Sequence, residues 1–233
     1  MQPEQSRTER PAHRISEILS HYVHTFRYVL WTVLILAVVV VLGYFAWSQI
    51  SQKREATSTM AAEAAQDLYD QWSAEPNADK KAALDKDLKA KLDQLVTSYP
   101  RQYGGQRGLF LRAEYYLDKK DWADAAKDDQ QLATTFPKSY LAPIALFDAG
   151  VALESAGDAK TAEDLYVRAA TNYKETAVAP RALFDAARLD EQSSAFDNAQ
   201  KKYDQLGSDY PDSGWTVLAK NRIVALKVSG KIK

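Results

Sequence analysis

Tyr99, Phe136, Tyr173 and Tyr210 stand 37 positions apart, and other apolar residues keep the same step. Leu95, Leu132, Ala169 and Leu206 share it, as do Ala125, Ala162 and Ala199. Leu109, Leu146 and Leu183 follow it too, with Phe110, Phe147 and Phe184 beside them and the small Ala113, Gly150 and Ala187 four positions further on. A fixed period of roughly 20 to 50 residues marks an array whose units are each too small to bury their own apolar face and bury it against their neighbours. The first expectation for such a chain is that it works by binding other proteins.

A second feature sets where the array sits. From Tyr28 to Trp47 the chain runs twenty residues without a charge. At about 1.5 Å per residue a helix of that length covers roughly 30 Å, the thickness of the hydrocarbon core. Tyr28, Trp31, Tyr44 and Trp47 lie near its two ends, where amphipathic rings prefer the headgroup layer. A cleaved signal has a shorter apolar run and a small-residue cleavage site, so residues 28–48 are expected to form an uncleaved transmembrane helix. Arg7, Arg10, Arg14 and Arg27 precede it and Lys53 and Arg54 follow. That bias keeps the N-terminal segment in the cytoplasm and exports the repeats to the periplasmic side of an inner membrane.

Composition removes several functions. With 30 basic and 31 acidic residues there is no net field to hold a nucleic acid, so no nucleic-acid partner is expected. The absence of cysteine excludes disulfides, thiolate chemistry, cysteine-bound zinc and a lipidated N-terminal Cys. All three histidines, His13, His21 and His24, precede the span. The repeat region therefore lacks the common nucleophiles, proton shuttles and transition-metal ligands, and neither an enzyme activity nor a cofactor or metal is expected. His21 and His24 read as interfacial residues near the headgroups. Asp85, Asp87, Asp128, Asp129 and Glu191 lie on lysine-rich helices and read as solvated faces. Gly104, Gly105 and Gly108 have neither the preceding strand nor the following Lys-Ser/Thr of a phosphate loop, and read as a tight turn with close helix packing.

The chain divides accordingly. Residues 1–27 form a cytoplasmic segment whose Ile15, Ile18, Leu19, Tyr22, Val23 and Phe26 predict either an amphipathic helix leading into the membrane or a simple extension of the anchor helix. Residues 49–102 hold a post-membrane helix, stopped by Pro76 and Asn77, and an irregular first hairpin whose second helix is capped by Asp79. Three units of two helices fill 103–214, with turns at Asp118 to Asp121, Gly157-Asp158 and Ser193-Ser194, and with Asp121 capping the helix that begins at Trp122. Units are joined by an aromatic, often a proline, then a hydroxyl, as in Phe136-Pro137-Lys138-Ser139 and Tyr210-Pro211-Asp212-Ser213. Proline stops one helix and the hydroxyl serves the amides of the next. Pro143 and Pro180 fall at early helical positions. Residues 215–233 are read as a capping helix, more polar on its outer face, and a tail.

Over roughly residues 60–228 this pattern resembles the tetratricopeptide repeat (TPR) family. Leu146, Gly150, Ala162, Tyr166 and Ala169 match its order of large, small, alanine and aromatic, as do Leu183, Ala187, Ala199, Tyr203 and Pro211. Asp129 stands where the aromatic belongs, Lys174 where proline belongs, and the step is about three longer than the family's 34. The longer step and linkers resemble the envelope branch, BamD-like lipoproteins and YbgF-like proteins. The layout of short tail, single span and repeats resembles that of YfgM-like proteins.

The resemblance implies an all-α fold: one N-terminal transmembrane helix, then a TPR-like α-solenoid of about four helix hairpins and a C-terminal capping helix. It implies a membrane-anchored protein–protein interaction module of the envelope, with Sec translocon subunits or periplasmic chaperones as partners. The alternative is a scaffold subunit of a division, flagellar or outer-membrane assembly machine. Carried over, the family's concave groove would present Arg107, Phe110 and Glu114, then Ile144, Phe147, Val151 and Glu154, then Arg181, Phe184, Arg188 and Glu191. Its phenylalanines either meet a partner or pack between repeats. The family's basic-and-asparagine clamp for carboxylates is not recognisable there, which favours a broad, mainly apolar client.

Overall fold

The computed structural model describes residues 10–233, with side chains from Phe26 onward. Arg7 thus lies outside the described residues, and so do the side chains of His13, His21 and His24 and most of those of the expected amphipathic segment. Within them the chain is all-helical: α1 (Arg10–Ala74), α2 (Ala78–Ser98), α3 (Tyr103–Asp118), α4 (Trp122–Thr135), α5 (Ala142–Ser155), α6 (Ala159–Asn172), α7 (Val178–Gln192), α8 (Phe196–Asp209) and α9 (Gly214–Val228). They fall into two units divided after Arg54.

The first unit is helix α1 up to Arg54. Its large apolar side chains from Val29 through Ile50, including Trp31, Leu36, Val40 and Phe45, are exposed. The helix is long and apolar enough to cross a membrane; by length and composition an anchor and a signal sequence both fit it.

In the second unit each helix from α2 to α9 packs on the next, and α7 also touches α5 and α9. Ala62, Ala65 and Trp72 of α1 join Leu88, Leu92 and Leu95 of α2 and Leu111 and Tyr115 of α3 in one core. A longer core runs from Val96 and Leu109 through Leu146, Tyr166, Leu183 and Tyr203 to Leu226 and Ile232.

The 37-residue step reaches individual hydrogen bonds. Tyr99, Phe136, Tyr173 and Tyr210 are the residues that end α2, α4, α6 and α8. Their backbone N–H groups donate to the carbonyls of Leu95, Leu132, Ala169 and Leu206. The alternate helices end differently. Lys120, Gly157, Ser194 and Gly230 follow α3, α5, α7 and α9 with φ of 59°, 87°, 65° and 70°. The next N–H in each case donates back five residues, from Asp121 to Tyr116, Asp158 to Leu153, Ala195 to Asp190 and Lys231 to Leu226, at 2.8 to 2.9 Å. This is the Schellman closure, which satisfies carbonyls that the helix leaves unpaired.

Several local expectations change. The residue capping α2 is Asn77, whose Oδ1 accepts from the amides of Asp79 and Lys80 at 3.0 and 3.1 Å; Asp79 sits inside the first turn. Helix α3 begins at Tyr103, so Gly104, Gly105 and Gly108 are helical and form no turn, though they pack closely on Ser58, Tyr99 and Leu95. Asp121 precedes α4 without a side-chain cap bond, while the Asp158 carboxylate accepts one from the Thr161 amide at 3.1 Å. The exposed face of α9 is mixed, with Lys220, Asn221, Arg222 and Lys227 exposed beside Val217, Leu218, Val224 and Val228.

Candidate partner-binding face

The expected groove residues lie on α3, α5 and α7, and much of what they carry is already used inside the chain. Phe147 is buried, 5.2 Å from the ring of Tyr166, with the Arg181 guanidinium 4.5 Å above it. Phe184 is half-buried between Tyr203, at 5.6 Å, and Trp215, at 5.3 Å. Arg181 also lies 5.8 Å from Trp215, so one guanidinium faces aromatics of two helices. Phe110 is half-buried beside Arg107, which donates to Gln66 of α1.

The charged members pair across helices. Arg188 of α7 grips Glu154 of α5 with two bonds of 2.8 Å, and the Tyr166 hydroxyl donates to the same carboxylate at 3.0 Å. The bonds from Arg188 hold the Glu154 carboxyl below its ordinary range. One step on, Glu191 of α7 accepts from Arg222 of α9 and from the Tyr203 hydroxyl. Burial first, and the nearby carboxylates after it, push both phenols above their ordinary range. Val151, which is 36% exposed, and Arg181 are the exposed members of this face, and Ile144 is half-buried.

The repeat formed by α3 and α4 is built differently. Asp129 of α4 occupies the position that Tyr166 holds one unit later and Tyr203 two units later. It is 1% exposed, and its Oδ2 has no hydrogen-bond partner. Burial, then the charges of Asp148, Glu114 and Asp128, push its carboxyl up to about 9. Asp148 of α5 is raised to about 6, again by burial and then by Glu114, with Arg181 opposing. Glu114 of α3 is raised by burial and Asp118, with Arg107 opposing. Three helices thus bring together carboxyl groups that each disfavour the others' charge.

The reading of Asp128, Asp129 and Glu191 as solvated residues is overturned. Asp128 is 2% exposed and takes two bonds from Arg112, at 2.6 and 2.7 Å, while that guanidinium also reaches Asp93 at 2.8 Å. Glu191 has the Arg222 and Tyr203 bonds above. Lysines elsewhere on a helix say nothing about the face that a given Asp occupies. Asp85 keeps a surface pairing with Lys119 at 3.0 Å, and Asp87 is exposed.

Asp148 and Trp215 carry no motif in the sequence that points to this face. Asp129 did carry one, as the single break in an aromatic register. Among the described residues no group of three or more His, Cys, Asp or Glu is arranged to hold a metal ion. No protein-family model matches the chain, and no curated protein matches it.

Proposed function

We propose that this chain is a membrane-anchored array of TPR-like helix pairs, an α-solenoid of about four hairpins, that docks other proteins of the cell envelope by surface complementarity. The partners in this reading are Sec translocon subunits or periplasmic chaperones. The observation that carries it is the recurrence of the same closing hydrogen bonds after α2, α4, α6 and α8, and of the same Schellman closure after α3, α5 and α7. Units closed alike stack alike, and a stack of helix pairs offers an extended surface to another chain.

In this reading α1 is an uncleaved inner-membrane anchor. The greater number of basic residues before the apolar stretch keeps the N-terminus in the cytoplasm and the repeats in the periplasm. No chemistry is assigned, since no histidine or cysteine follows His24. The half-buried aromatics and the open Val151 support a mainly apolar client surface.

Purification of the full chain from membranes in detergent, with the copurifying proteins identified by mass spectrometry, tests the reading. Translocon subunits and periplasmic chaperones are expected. A dedicated set of division, flagellar or outer-membrane assembly proteins would make it a scaffold of that machine, and soluble cytoplasmic proteins alone would overturn both. An alkaline phosphatase fused after Lys233 should be active; an inactive fusion reverses the topology.

A further inference from the structure

Helix α9 is the last of the described array and packs on α8 and α7. Thr216, Ala219 and Leu226 are buried there, with Trp215 and Ile223 half-buried beside them. The opposite side is bare. Val217, Asn221, Val224 and Val228 follow one another at steps of four, three and four residues, so they line one side of the helix, and Leu218 and Ala225 widen it. Each of these is exposed, and of them only Asn221 is polar.

This apolar stripe is bordered by one sign of charge. From Gly214 to Lys233 stand Lys220, Arg222, Lys227, Lys231 and Lys233 and no Asp or Glu, in a chain whose net charge is -1. Lys220 and Lys227, seven residues apart, run along one edge of the stripe, and Arg222 lies on the other. Arg222 is engaged by Glu191, and Lys231 lies 4.9 Å from the centre of the Phe196 ring. No salt bridge among the described residues engages Lys220, Lys227 or Lys233.

Charge decides what can cover such a face. A second copy would set lysines against lysines around the apolar contact, and like charges across an interface oppose it. An anionic bilayer offers both complements at once, phosphates for the ammonium groups and, just beneath them, an acyl boundary for the valines. Lysine suits the edge of such a contact, because its stem lies along apolar surface while its head reaches out. Lipid is at hand, since α1 of the same chain is long and apolar enough to cross a membrane.

We propose that the exposed face of α9 docks on an anionic phospholipid surface, with Val217, Leu218, Val224 and Val228 at the acyl boundary and Lys220 and Lys227 on the phosphates. The proposal goes beyond the docking of proteins on α5 and α7 and does not depend on it.

The chain has no cysteine, so Val224→Cys carries a single nitrobenzoxadiazole label. The full labelled chain is reconstituted into vesicles of phosphatidylcholine alone or mixed with phosphatidylglycerol, with and without bromine on the acyl chains. In the anionic vesicles the emission should move to the blue and be quenched by the bromolipid; in the neutral vesicles it should do neither. High salt should reverse the shift. Adding Lys220→Gln/Lys227→Gln should lower the ratio of docked to free label by at least about tenfold. The same label on Lys201→Cys, an exposed position of α8, should report water in both lipids.

A label at position 224 that stays in water in the anionic vesicles overturns the proposal and leaves the face to a protein partner. A shift of equal size in both lipids also overturns it, and absence of bromine quenching then assigns the face to a second copy of the chain. So does a shift that survives Lys220→Gln/Lys227→Gln. The substituted residues are all exposed, and native circular dichroism confirms that each variant folds. Flotation with the neutral vesicles reads α1 alone, so failure of the anchor is told apart from failure of the α9 surface.

Discussion

The ring of Tyr166 closes directly on Gly150, so that a methyl group added at Gly150 would stand 2.6 Å from its Cε1. The same ring is held by Phe147 at 5.2 Å and, through its hydroxyl, by Glu154 at 3.0 Å. The small residue on the first helix of the unit is therefore the seat of the aromatic on the second. The unit-three pair, Ala187 and Tyr203, occupies the corresponding positions.

Gly150→Ala should accordingly destabilise the chain. Alanine gains about 1 kcal/mol of helix preference over glycine, but the methyl must displace a buried ring pinned at both ends. A net loss of about 1 kcal/mol is expected in urea denaturation of the detergent-solubilised chain. Tyr166→Ala, which empties the seat, should cost about 3 to 5 kcal/mol.

Two other glycines separate crowding from flexibility. A methyl at Gly105 would come 1.8 Å from the carbonyl oxygen of Tyr99, a backbone atom that cannot rotate away. Gly105→Ala should cost at least about 2 kcal/mol. Gly207 lies in α8 with nothing within 4 Å of an added methyl, and Gly207→Ala should stabilise by about 0.5 to 1 kcal/mol. The opposite signs, read by the same urea denaturation, are the check.

The closing turns of the units give a third pair of signs. Lys120 and Ser194 hold the left-handed conformation that Gly157 holds at the matching position. Relief of that strain outweighs the added freedom of the unfolded chain, so Lys120→Gly and Ser194→Gly should each stabilise by about 0.5 kcal/mol. Gly157→Ala should destabilise by about 1 kcal/mol. Thermal denaturation followed by circular dichroism reads all three.

How much of this was legible in the sequence depends on what each residue does. Tyr99, Phe136, Tyr173 and Tyr210 announced the unit boundaries because every unit ends its second helix in the same way. The turns at Lys120, Gly157 and Ser194 were legible as turns, but their shared left-handed conformation was not, since of these three residue types only glycine signals a positive φ. Asn77 and Asp79 are both good capping residues two positions apart, and the extended backbone at Asn77 decides between them. Asp129 was visible as a departure from the register, but its burial depends on which face of α4 meets α3 and α5. The ion pairs of Glu154 with Arg188 and Glu191 with Arg222 span 34 and 31 residues, off the 37-residue step, so periodicity could not reveal them.

The carboxyl of Asp129 makes stability depend on pH. An unfolded aspartic acid titrates near about 3.9, whereas Asp129 in the folded chain is raised to about 9 and Asp148 to about 6. The folded state therefore binds more protons than the unfolded one, and stability falls as pH rises through that window. Above pH 6 the remaining fall belongs to Asp129. Asp129→Asn should flatten it and stabilise the chain at pH 8 by about 1 to 3 kcal/mol, measured as urea midpoints across a pH series.

The docking function is most directly tested by a photo-crosslinking amino acid placed at Val151, the open position on α5 between Phe147 and Glu154, in living cells. The same group at the exposed Lys201 of α8 serves as the control. Light-dependent adducts with a small set of envelope proteins are expected from position 151 and not from position 201. Adducts equally abundant from both positions, or none from position 151, would contradict a partner-binding role for this face.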